Sequence, residues 1–352
     1  MALTERILRR NRIAIGTRGS KLALWQAEWV QASLKNLYPD LEVELVKIKT
    51  TGDRILDVPL SQVGGKGLFV KEIEEALLRH EVDIAVHSMK DVPTEFPDGL
   101  HLAIMCKRED PRDALIVSEK VKVKSIKPEA SGPLPSRRMK EGLAGSLIHD
   151  FPEAARIGTS SLRRMCQLLH IRPDIEIIQL RGNLDTRIRK LDEGQFDAVI
   201  LAAAGMKRLG LQHRITEILS FEISLPAIGQ GAIGIECRTD DEFINKLIVP
   251  LNHSETFLCV SAERAFLRRL EGGCQVPIAA HAKLADGHII MDGLVGTEKG
   301  DRILKSHIEG LPVHMEQLGI RLAEDILLMG AKEILDAVYK NCARTVDGEI
   351  SS

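Results

Sequence analysis

Several arginines come shortly after apolar segments that have the residue pattern of β-strands. If these strands form sheets, the arginine side chains would lie together at the sheet edge. The arginines are Arg18, Arg163, Arg164, Arg181, Arg187 and Arg208. An arginine holds a carboxylate or a phosphate through two parallel hydrogen bonds, and a nearby helix N-terminus adds free backbone N–H groups. Any one of these arginines alone is most simply a solvent-facing charge. Their shared placement favours a binding site for a small polyanion.

Lys90 and Asp91 follow the apolar run at 82–86, which predicts a buried parallel strand. Side chains at the carboxyl end of such a strand reach the edge of the sheet where α/β proteins bind their ligands. This placement makes the pair a candidate for catalysis. The alternative is an ordinary surface ion pair.

Cys274 follows two glycines and precedes a proline, at the end of a predicted helix. Paired glycines allow positive φ and close backbone approach, a setting that suits a presented nucleophile or an attachment point. The alternative is a helix C-cap followed by a packing cysteine. Other cysteines lie among apolar residues and are predicted to be buried and reduced, namely Cys106, Cys166, Cys237 and Cys259.

An internal repeat predicts the elements that position these groups. The segment at 15–20 resembles the segment at 157–161, and the helical pattern after each is typical of a strand, a tight turn and a capped helix. In both halves an aliphatic run follows, and then a buried strand that begins with an acidic residue. The predicted fold class is α/β, with two similar lobes like those of periplasmic binding proteins and a ligand cleft between them.

The rest of the chain predicts a small C-terminal α+β domain. An amphipathic helix at 254–271 precedes strand patterns near 276–283, 288–296 and 302–309. Helical patterns then run from 313 to about 342.

Domain boundaries follow from these patterns. They are 1–105 with a returning segment at 232–250 for the first lobe, 106–231 for the second lobe, and 251–352 for the C-terminal domain that carries Cys274. The connection at 118–155 has no periodicity, so it is predicted to be exposed.

Composition excludes several classes of partner. The net charge of −2 and the aromatic content of 3% argue against nucleic acid. No apolar run is long enough to span a membrane, and the N-terminal residues lack the apolar core of an export signal, so a cytoplasmic protein is expected. The cysteines show no CxxC pair and no Cys/His ligand spacing, so no metal is expected.

The segment 229–234 matches the pattern GxGxxG. In dinucleotide-binding proteins a helix follows that pattern, whereas here the next residues are strand-like. The dinucleotide interpretation therefore fails its context. The sequence also lacks the P-loop, HExxH and GxSxG motifs.

Ten segments together resemble the porphobilinogen deaminase family. They are GTRGSKLALWQA at 16–27, TTGD at 50–53, GGKGLFVKEIE at 64–74, VHSMKDVPT at 86–94, KREDPRDA at 107–114, GTSSLRR at 158–164, RGNLDTR at 181–187, AAAGMKRLG at 202–210, GQGAIGIE at 229–236 and ERAFLRRLEGGCQVP at 263–277. The resemblance extends from about residue 12 to about residue 342.

The resemblance implies a transferase of tetrapyrrole biosynthesis with a dipyrromethane cofactor attached to Cys274 through a thioether. Such an enzyme condenses four porphobilinogens head to tail onto this primer, with loss of ammonia each time, and releases hydroxymethylbilane by hydrolysis. It also implies a monomer with porphobilinogen as its small-molecule partner. Hinges near 101–106 and 232–236 would let the lobes make room for the growing product.

The resemblance also assigns roles to individual residues. The implied catalytic residues are Asp91, Lys90 and Arg18. The implied cofactor-binding residues are Cys274, Lys66, Ser88, Lys90, Asp91, Thr159, Ser161, Arg163, Arg164, Arg187 and Arg208. The implied substrate-binding residues are Arg18, Ser20, Arg181 and Arg187. A fixed carboxylate at Asp91 suits the cation formed when ammonia leaves, and the arginines suit the acetate and propionate groups of each pyrrole.

Two other classes compete with this hypothesis. A solute-binding protein also has paired α/β lobes and an arginine-lined cleft, but it needs no loop like that of Cys274. An RNA-binding scaffold would call for basic excess and stacking aromatic residues, which this sequence lacks.

Overall fold

The computed structural model describes residues 11–54, 70–121, 145–272 and 276–348. Two five-stranded sheets form the α/β lobes, and a three-stranded sheet belongs to the C-terminal domain. The predicted fold class, two similar α/β lobes with a small α+β domain, is confirmed. No helix in this part of the chain is both long and apolar enough to cross a membrane.

The first lobe is an α/β sandwich around the first sheet. Its strands are β1 Arg12–Thr17, β2 Glu42–Lys47, β3 Ile84–Ser88, β4 Leu100–Met105 and β10 Ile233–Arg238. Its helices are α1 Lys21–Leu37, α2 Thr51–Arg54, α3 Lys71–Leu78 and α7 Glu242–Ile248. The strand order is β2-β1-β3-β10-β4, with β1 parallel to β2 and β3, and β10 antiparallel to both of its neighbours.

Both faces of the first sheet are apolar, as a buried parallel sheet requires. Ile84 and Val86 pack with the buried face of α1, whereas Ala85 between them packs with α3. The hydroxyl of Ser20 accepts a hydrogen bond of 3.3 Å from the backbone N–H of Ala23 and caps α1. This cap fixes the turn that follows β1, at the same sheet edge as the end of β3.

The second lobe repeats this plan. Its strands are β5 Asp113–Val117, β6 Arg156–Gly158, β7 Glu176–Ile178, β8 Ala198–Ala202 and β9 Glu217–Ile218. Its helices are α4 Leu162–Ile171, α5 Leu184–Asp192 and α6 Ala203–Arg208. The order β7-β6-β8-β5-β9, with β5 antiparallel to both neighbours, matches that of the first sheet strand for strand. The internal repeat in the sequence therefore marks two copies of one topology.

The chain crosses between the lobes twice. The first crossing, residues 106–112, leads from β4 to β5, and the second crossing, residues 219–232, leads from β9 back to β10. The predicted return of the strand near Ala232 to the first sheet is confirmed. The crossings lie side by side, since the N–H of Glu109 donates to the carbonyl of Gly231 over 3.1 Å. The predicted hinges, 101–106 and 232–236, lie mostly in the hydrogen-bonded strands β4 and β10. The backbone without regular secondary structure lies in the two crossings instead.

The GxGxxG segment lies in the second crossing. Strand β10 follows it instead of a helix, as the sequence predicts. Gly229 and Gly231 have φ values of +69° and +93°, which favour glycine. A Cβ at Gly231 would also clash with the carbonyl oxygen of Glu109 in the first crossing. These glycines therefore allow the two crossings to pack closely against each other.

The C-terminal domain packs helices against one antiparallel sheet. Its strands are β11 Ile278–Ala285, β12 His288–Gly296 and β13 Ile303–Gly310. Its helices are α8 Ser254–Arg269, α9 Met315–Ile326 and α10 Lys332–Gly348, with a π-helical turn Leu327–Ala331 between the last two. These elements agree with the predicted order of helix, strands and helices.

Helix α8 is buried on more than one side, whereas the sequence predicts an amphipathic helix. Phe266 enters the core of the C-terminal domain, and Val260 packs with Met89 and Val92 of the first lobe. The charged Glu263 is also fully buried, because it pairs with Arg108 of the first crossing. Helix α8 therefore joins the C-terminal domain to the first lobe.

The prediction that the whole connection 118–155 is exposed is wrong for its described C-terminal part. Leu147, Ile148 and Phe151 are buried in the core of the second lobe. They belong to a short 3-10 helix, Leu147–Asp150, and the residue after it. An apolar cluster this short has no measurable periodicity. The prediction therefore depended on the polar composition of the connection, which wrongly indicated that these residues are exposed. Residues 122–144 of the connection lie outside the described residues.

Candidate active site

The end of β3 and the turn after β1 enclose a cavity of about 60 Å³ in the first lobe. Four of the predicted site residues line it, namely Arg18, Ser20, Ser88 and Asp91. His87 and Gln26 line it as well. The amide of Gln26 donates a hydrogen bond of 2.9 Å to the hydroxyl of Ser88. The sequence analysis did not assign His87 or Gln26 to the site, although both lie in the quoted motifs.

A short 3-10 turn, Met89–Asp91, positions Lys90 and Asp91. Met89 is 1% exposed and packs with Ala232 and Val260, so it anchors the turn from below. The two polar residues that follow are only partly buried and reach the edge of the sheet. The sequence prediction that this pair leaves a buried strand at the sheet edge is confirmed.

Charges from both lobes meet at this edge. Burial lowers the pKa of Lys90 to about 8, while Asp91 raises it and Arg164 of the second lobe lowers it. Burial also lowers the pKa of Arg187 to about 10, with a further decrease from Arg164 and an opposing increase from Asp91. Lys90 and Asp91 therefore face arginines of the second lobe across the interlobe cleft.

Arg163 and Arg164 are predicted to line this cleft, and the structure buries both at the start of α4. Each pairs with the carboxylate of Asp113 over 2.7 Å. Two guanidinium groups hold the pKa of Asp113 far below its usual range, although its burial acts in the opposite direction. The sequence analysis did not assign Asp113 to the site, although it lies in the quoted motif KREDPRDA at 107–114, where β5 begins.

Three further arginines belong to the second lobe: Arg181 lies on a loop, Arg187 lies within α5 and Arg208 lies at the end of α6. Arg208 donates a hydrogen bond of 2.6 Å to the carbonyl of Gly231 and lies 5.7 Å from the ring centre of Trp25 in the first lobe. Arg187 donates to the carbonyl of Gly182 over 2.8 Å. Arg181 donates to the side chain of Gln179 over 3.3 Å. Arg208 thus connects the second lobe to both the second crossing and α1.

Thr159 and Ser161 lie in the turn between β6 and α4. The hydroxyl of Thr159 accepts a hydrogen bond of 3.2 Å from the backbone N–H of Ser161. The predictions for Lys66 and Cys274 concern residues outside the described part of the chain. The four cysteines predicted to be buried and reduced are free and buried.

A buried acidic cluster lies beside the cavity. His87 and Glu236 form a hydrogen bond of 2.9 Å between β3 and β10, and both side chains are almost fully enclosed. Burial raises the pKa of Glu74 on α3 to about 7, with a further increase from Glu236 and a decrease from His87. Glu74 is therefore largely protonated below neutral pH.

The raised pKa of Glu74 predicts a loss of stability as pH rises. The folded protein binds this proton more tightly than the unfolded chain, so the contribution is full below pH 4.5 and disappears as pH rises through about 7. Glu74→Gln lacks this proton equilibrium. The Tm of the variant minus the Tm of wild type should therefore be higher at pH 8 than at pH 5.5, by roughly 2–4 °C. Thermal unfolding at both pH values measures the difference. Glu75→Gln, at the neighbouring half-exposed position, is the control, and an equal response of both variants would contradict the assignment.

The fold and the site define a two-lobed α/β protein with a cation-rich cleft between its lobes. The family model for the porphobilinogen deaminase dipyromethane cofactor binding domain matches residues 13–246. The model for the porphobilinogen deaminase C-terminal domain matches residues 257–328.

Two porphobilinogen deaminases agree with these matches. The chain is 54% identical to the porphobilinogen deaminase of Geobacter sulfurreducens, over 94% of this chain and 96% of that protein. It is 55% identical to the porphobilinogen deaminase of Geobacter metallireducens, over 93% of this chain and 95% of that protein. The periplasmic aliphatic sulphonate binding protein SsuA of Escherichia coli is 14% identical, with a TM-score of 0.37 over 74% of this chain and 71% of that one.

The chain belongs to the porphobilinogen deaminase family. It is an enzyme of tetrapyrrole biosynthesis, a hydroxymethylbilane synthase, and it contains the family's domain for the dipyrromethane cofactor. The enzyme hypothesis from the sequence is confirmed over the two competing classes.

Proposed function

We propose that the enzyme condenses four porphobilinogens head to tail onto a dipyrromethane bound covalently to Cys274, and then releases hydroxymethylbilane by hydrolysis. Porphobilinogen is the small-molecule partner, and the enzyme acts as a cytoplasmic monomer without a nucleic-acid or membrane partner. We propose that the three domains comprise residues 1–105 with 232–250, residues 106–231 and residues 251–352. The last of these domains carries the cofactor cysteine.

One observation carries the proposal: Asp91 of the first lobe lies among cations that come from both lobes. Lys90 precedes it, and the charges of Arg164 and Arg187 act on the same region from the second lobe. Mutual repulsion of these cations disfavours an empty cleft and favours one that holds several carboxylates. Porphobilinogen and its oligomers carry an acetate and a propionate on every pyrrole.

The cleft residues fit a dipyrromethane. The cations Lys90, Arg163, Arg164 and Arg187 act on this part of the cleft, against the two carboxylates of Asp91 and Asp113. This excess of positive charge favours a ligand with carboxylates, such as the four of a dipyrromethane. We propose that the cofactor is held by Cys274, Lys66, Ser88, Lys90, Asp91, Thr159, Ser161, Arg163, Arg164, Arg187 and Arg208. Arg163 contributes through its charge, because Asp113 and a backbone carbonyl occupy its terminal nitrogens. When bound, the cofactor supplies the free pyrrole carbon on which the product is extended.

Arg18, Ser20, Arg181 and Arg187 bind the incoming porphobilinogen in this proposal. Arg18 and Ser20 lie in the turn after β1 and line the same cavity as Asp91. Arg187 and Arg181 lie on the second lobe, and the positive charge of Arg181 contributes to the lowered pKa of Arg187 after burial and Arg164. A substrate with two carboxylates can therefore bridge the lobes beside Asp91.

Asp91 is the catalytic carboxylate of the proposal. Loss of ammonia leaves a positive charge that spreads over the pyrrole ring of the substrate, including its N–H. A fixed carboxylate within hydrogen-bond reach of that N–H stabilises the charge as it develops. Lys90 and Arg18 orient the carboxylates of the reacting pyrroles next to it.

A single assay tests the function. The purified chain is incubated with porphobilinogen, and ammonia and hydroxymethylbilane are measured in the same samples. We expect four ammonia molecules for each bilane released. A chain that binds porphobilinogen without releasing ammonia, even after incubation with preformed hydroxymethylbilane to supply a primer, would contradict the proposal and support a binding protein.

A further inference from the structure

Asp113 stands at the start of β5, directly after the first crossing, and its carboxylate is completely buried. Five hydrogen bonds reach it. They come from Arg163 Nη1 at 2.7 Å and Nη2 at 3.4 Å, Arg164 Nη2 at 2.7 Å, the hydroxyl of Ser224 at 2.8 Å and the amide of Gln230 at 3.0 Å. Ser224 and Gln230 belong to the second crossing. One carboxylate therefore joins the start of α4 to both crossings.

This network fixes both guanidinium groups. Besides its bonds to Asp113, Arg163 donates to the carbonyl of Leu225 over 2.8 Å, and Arg164 donates to the carbonyl of Ile200 over 2.9 Å. A guanidinium that is held at several nitrogens has one orientation. The positions of the two positive charges at the cleft thus depend on Asp113.

The charge of Asp113 also acts on Lys90. Arg163 and Arg164 lower the pKa of this lysine, and Asp91 and Asp113 raise it. A single carboxylate against two guanidinium groups leaves a net positive charge close to Lys90. Removal of the negative charge at position 113 would leave both arginines acting on Lys90 unopposed from that side.

We propose that Asp113 is a positioning residue of the active site: it orients Arg163 and Arg164 and offsets their charge beside Lys90, so that the cleft can bind the carboxylates of pyrroles. The proposal rests on the proposed function. Asp113 does not contact the substrate, and it acts through the three cations.

A purely structural role is the alternative, and the first lobe offers a matched control. Arg238 is buried there and pairs with Asp83 over 3.3 Å and with Asp241 over 3.1 Å. That ion pair lies at the opposite end of β10 from the cleft. Loss of a carboxylate at either place should lower stability, because a buried arginine loses its partner. Only the loss at Asp113 should change the site.

The test compares Asp113→Asn with Asp241→Asn and wild type. For Asp113→Asn we expect a rise of at least about tenfold in KM for porphobilinogen. The alkaline limb of kcat/KM should move to lower pH, because the pKa of Lys90 falls. Intact mass should show a smaller share of chains that carry the mass of two linked pyrroles. Asp241→Asn should lower Tm alone.

Ser224→Ala covers the case in which Asp113→Asn does not fold. It removes one hydrogen bond to the carboxylate and keeps the charge, so we expect a KM increase of about two- to fivefold with an unshifted alkaline limb. A wild-type KM in Ser224→Ala, or an Asp113→Asn variant that loses stability only, would overturn the inference. Wild type that releases no ammonia from porphobilinogen would instead contradict the proposed function.

Discussion

Asp91→Ala is expected to lower the turnover of porphobilinogen by about a hundredfold to a thousandfold, while the chain still folds and carries its primer. A positioned carboxylate that stabilises developing charge commonly contributes factors of about 10²–10³. Asp91 also opposes the cations around it, since it raises the pKa of both Lys90 and Arg187. Turnover is measured as ammonia release, and the primer is measured as surplus mass of the denatured chain.

Asp98→Ala provides the control for this experiment. Asp98 lies on the same loop after the 3-10 turn, and its side chain is exposed. We expect this variant to turn over porphobilinogen at the wild-type rate, because this exposed carboxylate does not line the cavity and has no reacting group to stabilise. A rate for Asp91→Ala within about tenfold of wild type would remove Asp91 from the catalytic role.

Cys274→Ala is expected to abolish both the covalent primer and the activity. Wild type should show an intact mass above that of the polypeptide by two linked pyrrole units, and the variant should show the mass of the polypeptide alone. A thioether bond survives denaturation, so mass spectrometry under denaturing conditions distinguishes it from tight binding. Preformed hydroxymethylbilane should alkylate the thiol of primer-free wild type with loss of water, which adds a covalent four-pyrrole mass, and should add no mass to the variant.

Cys342→Ala is the control for the cysteine experiment. Cys342 lies in helix α10, and nothing in the sequence presents it as Cys274 is presented by two glycines. We expect Cys342→Ala to keep both the surplus mass and the activity. A surplus mass that persists in Cys274→Ala and disappears in Cys342→Ala would move the attachment point to the second cysteine.

The burial of Arg163 and Arg164 changes how the arginine-rich cleft is understood. The sequence suggests six equivalent anion-binding groups, whereas the structure divides them. Arg163 is held at both terminal nitrogens, and Arg164 is held by Asp113 and by a backbone carbonyl. These two arginines supply charge from fixed positions. Arg18 lines the open cavity instead, next to Ser20 and Asp91.

Helix α8 gives the cleft a mechanical connection to the C-terminal domain. Glu263 accepts hydrogen bonds from Arg108 of the first crossing and from the backbone of Gly229 in the second. It also accepts one from the backbone of Ala282 on β11. Glu263 therefore connects both crossings to the domain that carries Cys274. A change in the orientation of the lobes would have to change the hydrogen bonds of this carboxylate.

Local sequence patterns were enough to predict the helices and strands and the sheet edge at which their polar residues lie. Strand, turn and helix patterns arise from residues close in the chain, so the repeat at Ile15–Ser20 and Ile157–Ser161 predicted two lobes of one topology. The same local logic placed Lys90 and Asp91 at the end of a buried strand. The family resemblance then added roles for residues that local patterns leave open.

The pairing of charges and the buried side of each helix or strand could not be predicted from these patterns, because both depend on tertiary packing. Asp113 meets Arg163 from 50 positions away and Ser224 from 111 positions away, and no periodicity encodes such a pairing. Burial of Leu147 and Ile148, and of both sides of α8, likewise depends on neighbours that are distant in the chain. Short-range patterns specify local conformation, whereas desolvation and ion pairing depend on how the finished elements pack.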